Sequence, residues 1–77
     1  MTLPDSPWNR DLVLQKRALH SAVDAVARLD APRAAELRLE LYTLTYEFEA
    51  GRLGRDALDR RFRDIRLSIA TALSHAA

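Results

Sequence analysis

Cysteine is absent from this 77-residue sequence, so no disulfide can staple it. Histidine is nearly absent: His20 and His75 stand far apart and alone, and a structural zinc site fails on ligand count. Runs of β-branched residues, the usual material of strands, are missing as well. No apolar run approaches the length of a membrane span. The opening Met1-Thr2-Leu3-Pro4-Asp5 lacks the basic start and apolar stretch of a signal peptide, which points to a soluble, cytoplasmic protein. Lysine occurs once, at Lys16, among 12 basic residues, and the rest are arginine. Heavy arginine and alanine usage fits a GC-rich bacterial or phage genome. A chain this short buries only a modest share of its surface alone. With disulfide and metal excluded, its stability must come from close helix packing or from a partner chain.

What is present is rich in Leu, Ala, Arg and Glu, all good helix formers, so the expected fold class is all-α. Residues 1–6 read as a loose lead and residues 7–77 as a single helical domain. Ser6 can cap free backbone N–H groups and Pro7 suits a first helical position, giving a first helix over about 7–29. Its apolar seam is Trp8, Leu12, Leu19, Ala22, Val26 and Leu29, with Gln15 as the one polar member.

Pro32 breaks this pattern, and Asp30 can cap a second helix over about 32–50. That helix carries two apolar stripes: Ala34, Leu37, Leu41, Leu44, Phe48, and Ala35, Leu39, Tyr42, Tyr46. At about 100° per residue they lie on nearly opposite faces. Both glycines of the chain, Gly51 and Gly54, fall in the next turn. Gly51 is placed as a left-handed cap and Gly54 as an N-cap, with Leu53 and Leu58 as a hydrophobic staple. A third helix is expected over about 55–75, with the seam Leu58, Phe62, Ile65, Ile69, Ala72.

Facing positions in an antiparallel hairpin share a constant index sum. Phe48 with Leu58, Leu44 with Phe62, Leu41 with Ile65 and Leu37 with Ile69 all share 106, centred in the glycine turn. Val26 with Ala35, Ala22 with Leu39, Leu19 with Tyr42 and Gln15 with Tyr46 share 61, centred beside Asp30. These sums lead to three antiparallel helices, up-down-up, with helix 2 central in a flat layer. Such a layer leaves sides uncovered, and Val13, Leu14 and Leu67 add apolar surface off the seams. Dimerisation into a larger helical bundle would cover it, and a homodimer is expected.

Chemistry-bearing patterns are sparse. Arg52, Arg55, Arg60, Arg61, Arg63 and Arg66 form a basic run that could contact an anionic partner. Asp56, Asp59 and Asp64 interrupt it, and Asp56 with Arg60 and Asp59 with Arg63 have the spacing of helix ion pairs. Gly51-Arg52-Leu53-Gly54 matches the spacing of the nucleic-acid-clamping GXXG loop of KH domains, but that fold needs a sheet and no strand pattern is present. Glu36, Glu40 and Glu47 share a helix side without the Glu-x-x-His partner of a di-metal site. No nucleophile–base pair or phosphate loop is legible, so neither an enzyme nor a cofactor is expected.

The segment Leu44 to Phe62, about a quarter of the chain, resembles the helix-turn-helix hairpin of small bacterial domains of the short C-terminal (SHOCT) type. Glu49-Ala50-Gly51-Arg52-Leu53 and Leu58 to Phe62 carry the likeness. Gly54 stands where that hairpin has Ser or Thr, and Arg55-Asp56 where it has an acidic pair. The function expected from these readings is a small helical protein-protein interaction module, an adaptor, assembly factor or regulator of a larger protein. Its interface candidates are Trp8, Val13, Leu14, Leu39, Tyr42, Tyr46 and Leu67. A nucleic-acid-associated regulator using the arginines of helix 3 is the alternative, and no membrane partner is expected.

Overall fold

Asn9, not Ser6, starts the first helix. Its extended backbone precedes Arg10, and its side chain accepts a hydrogen bond from the Leu12 N–H at 2.8 Å. The computed structural model describes residues 7–75, so Ser6 and the expected lead over 1–6 lie outside the described residues. The first helix, α1, spans Arg10–Ala27 and is shorter at both ends than its periodicity predicts. At its far end the Leu29 and Asp30 N–H groups both turn back to the Val26 carbonyl, which leaves Leu29 exposed rather than on the seam.

Asp30 caps the second helix as expected, its carboxylate accepting from the Arg33 N–H at 3.2 Å. Helix α2 spans Ala31–Glu49, with Pro32 in its first turn, where a missing N–H costs nothing. Gly51 then takes φ +79°. Around it the Arg52 N–H donates to the Glu47 carbonyl at 2.9 Å and the Gly51 N–H to the Phe48 carbonyl at 3.1 Å. These two bonds are the Schellman closure of a helix end. Helix α3 spans Arg55–His75, within the expected bounds, and the Leu58 N–H reaches back to the Gly54 carbonyl. No strand occurs among the described residues.

Each helix contributes to one apolar core. The α2 stripe Ala34, Leu37, Leu41, Leu44, Phe48 and the α3 stripe Leu58, Phe62, Ile65, Ile69 are buried throughout. From α1 come Leu12, Leu19, Val23 and Val26. Trp8, Ala22, Leu53 and Ala72 pack around this cluster half-buried. No buried side-chain polar atom among the described residues lacks a hydrogen-bond partner.

The flat layer with helix 2 central is corrected by this packing. Helix α1 lies against both α2 and α3, so the three helices form a bundle around a shared core. The buried α1 residues Leu12, Leu19, Val23 and Val26 keep heptad spacing, but between Leu19 and Val26 the seam runs through Val23 rather than the adjacent Ala22, which fits the same interval equally well. Two of the pairings of index sum 61 do not form. Leu19 turns into the shared core, and Tyr42 meets His20 instead, with ring centroids 5.4 Å apart. Gln15 does not reach Tyr46; its Nε2 donates to Asp59 of α3 at 3.0 Å and to Asp11 at 3.1 Å.

Candidate protein-interaction surface

Because α1 sits over the shared core, the second stripe of α2 is touched only at its side and stays largely exposed. Leu39, Tyr42 and Tyr46 are 67%, 58% and 65% exposed, although each is a large apolar or aromatic side chain. Ala35 extends the stripe toward the start of the helix and is also exposed. The result is a narrow ridge along the outer side of α2.

Its rings are held from the side. His20 lies against Tyr42, and the Arg52 guanidinium stands 5.1 Å from the centroid of Tyr46. Partial burial lowers the pKa of His20 from its ordinary 6.5, and the positive charges of Lys16 and Arg38 lower it further. The imidazole on the ridge is therefore biased toward its neutral form.

The charges bordering the ridge are answered within the chain. Arg33 pairs with Glu36 at 2.9 Å, Arg38 with Asp24 at 3.0 Å, and Arg61 with Glu40 at 3.7 Å. Arg52 grips Glu47 through two bonds, Nε to Oε2 at 2.6 Å and Nη2 to Oε1 at 3.2 Å. That pair holds the Glu47 carboxyl below its usual range. It also spans the two residues that flank the glycine closure, where such helix ends usually place an apolar contact.

The other interface candidates scatter. Trp8 is half-buried and closes the end of the core, its ring edge-on to Phe48 at 4.8 Å. Its Nε1 donates to Glu49 at 3.0 Å and Lys16 lies over its face, so it is a packed lid more than a projecting anchor. Val13 is half-buried, while Leu14 stands exposed on α1. Leu67 is exposed on α3 and lines a concavity of about 550 Å³ with Leu29, Arg33, Thr71 and His75. Leu29 is an exposed residue that the seam reading wrongly placed inside; its position just before the Asp30 cap was the available signal.

The basic run is largely engaged. Besides Arg52 and Arg61, Arg63 pairs with Asp59 at 2.9 Å, and Arg55 Nε donates to the Pro7 carbonyl at 3.0 Å. Among the described residues, Arg60 and Arg66 have no ion-pair partner, and the expected Asp56–Arg60 pair does not form. No group of three His, Asp or Glu among the described residues is placed to hold a metal. No helix among them is long and apolar enough to cross a membrane. Compared with known protein families, with curated proteins and with solved structures, the chain matches none.

Proposed function

We propose that this protein is a small helical protein-protein interaction module, an adaptor or regulator that acts by presenting the outer ridge of α2. One observation carries the reading. Helix α2 completes its share of the core with Ala34, Leu37, Leu41, Leu44 and Phe48, yet keeps Leu39, Tyr42 and Tyr46 exposed. Aromatic residues with wet hydroxyls and apolar rings are favoured at interfaces, and a fold that needed them inside would have buried them. The up-down-up order of the helices is part of the same proposal. Its first reversal is supported by Asp24 with Arg38 and His20 with Tyr42, which run in opposite senses along α1 and α2, and by Trp8, just ahead of α1, on Phe48.

The reading is tested by affinity capture from the native host at moderate salt, comparing the unmodified protein with a Tyr42→Ser, Tyr46→Ser variant. A protein retained by the first and lost from the second is the expected result. Capture that is equal for both, or absent for both, would remove the ridge from the function.

A second reading, a nucleic-acid-associated regulator, draws on Arg60 and Arg66, which are exposed and unpaired among the described residues. Phosphate contacts weaken steeply as salt rises. A gel shift at low and moderate salt decides it: an absence of binding at low salt eliminates the reading.

A further inference from the structure

Resting on the reading of the α2 ridge as an interaction face, we propose that its occupant is the same ridge of a second copy of this chain. The two α2 helices run antiparallel about a two-fold axis beside residues 40 and 41. Ala35, Leu39, Tyr42 and Tyr46 recur at intervals of four, three and four, the spacing of a helix packed lengthwise on another helix. Within the protomer His20 and Arg52 touch the two rings from the side, and Leu39, Tyr42 and Tyr46 stay more than half exposed.

A two-fold contact requires the patch to complement itself. In the antiparallel pairing Ala35 meets the partner's Tyr46 and Leu39 meets the partner's Tyr42, because both pairs share the index sum 81. Small stands against large at the outer contacts, and a branched aliphatic stands against a ring at the inner ones. Parallel pairing in register would set Ala35 on Ala35 and Tyr46 on Tyr46, leaving a gap at one end and crowding at the other.

The flanking charges favour the same arrangement. Antiparallel pairing brings Glu36 near the partner's Thr43 and Arg38 near the partner's Thr45, so no like charges meet beside the seam. Glu36, Arg38, Glu40 and Glu47 are each already paired within the protomer. An apolar ridge with a neutralised rim selects an apolar partner over a charged one. At a formal net charge of +1, two copies repel each other little. Contacts from His20 and Arg52 pre-position the two rings and reduce the side-chain freedom lost on pairing. Two tyrosines and a leucine exposed to this extent offer on the order of 400 Å² per protomer. That is about half of what a standard specific interface buries on each partner, so the dimer is weak and concentration-dependent.

The absence of cysteine makes site-specific cross-linking clean. Mixed Ala35→Cys and Tyr46→Cys proteins are expected to form a disulfide-linked heterodimer under mild oxidation, with several-fold less homodimer from Ala35→Cys alone. In the antiparallel pairing the two Ala35 positions lie roughly 16 Å apart along the helix, beyond the reach of a disulfide. Ala35→Cys homodimers in higher yield than the heterodimer would overturn the orientation. Sedimentation of the unmodified protein from about 10 µM to 1 mM should show a shift toward dimer. The Tyr42→Ser, Tyr46→Ser variant should lose that shift with its helical circular dichroism intact. A protein that stays monomeric throughout sinks the self-pairing, while ridge-dependent capture of a different protein would still stand on its own test.

Discussion

Gly51 is the residue at which local chemistry is least negotiable. Its φ of +79° lies in the left-handed region, and a Cβ built there would meet nothing within 4 Å. The cost of Gly51→Ala is therefore backbone strain without any clash, and about 1 kcal/mol of stability should be lost in urea denaturation. Gly54 also has open space around it, without the positive φ, so Gly54→Ala should cost less. His20 yields a prediction of pH dependence. Its folded-state pKa lies below the ordinary 6.5, so the unfolded chain takes up the proton more readily. The contribution of His20 is complete above about pH 6.5 and falls away as pH drops through its lowered folded value. Thermal melts from pH 7.5 to 5 should show decreasing stability, and His20→Gln should flatten part of that slope. An unchanged slope would mean that other groups set it.

At the scale of the element, caps decided where the helices begin and end. Asp30 and Gly51 were legible because capping residues stood directly beside a break in the apolar pattern. Asn9 was not, because Ser6-Pro7 offered an equally good start three residues earlier and only the packed structure chooses between them. Replacing Asn9 by Ala should cost about 1 kcal/mol and fray the first turn of α1, readable as faster amide exchange at Leu12 and its neighbours. The core stripes Ala34 to Phe48 on α2 and Leu58 to Ile69 on α3 were readable residue by residue. The stripe on α1 was misread at Val23 and Leu29. Between Leu19 and Val26 the heptad can pass through Ala22 or Val23, and the packed core takes the larger Val23, while the last turn ends before Leu29.

At the scale of the molecule, the two stripes of α2 have opposite fates. Leu37 is fully enclosed, and Leu37→Ala should cost about 2–5 kcal/mol, enough to threaten folding of a domain this small. Tyr42→Ser and Tyr46→Ser, on the exposed ridge, should each shift unfolding by no more than about 0.5 kcal/mol. Calorimetry of the three variants separates a core stripe from a contact stripe. A large loss of stability at Tyr46 would place its ring in the protomer's own packing. Surplus apolar surface was expected from a flat layer. It survives in the bundle for a different reason, because α1 covers the shared core and not the second face of α2.

Three helices, two of their caps and the buried face of α3 were legible in the residues alone. Those follow from short-range chemistry: helix propensity, a left-handed glycine, an aspartate at a helix start, and apolar residues recurring with the helical period. The sequence also exposed the existence of two stripes on α2, though not which one would be covered. That depends on how the three helices pack. The position of α1 depends on three-way packing, in which one helix must fill the space left by two others, and the spacing along any single helix does not encode that volume.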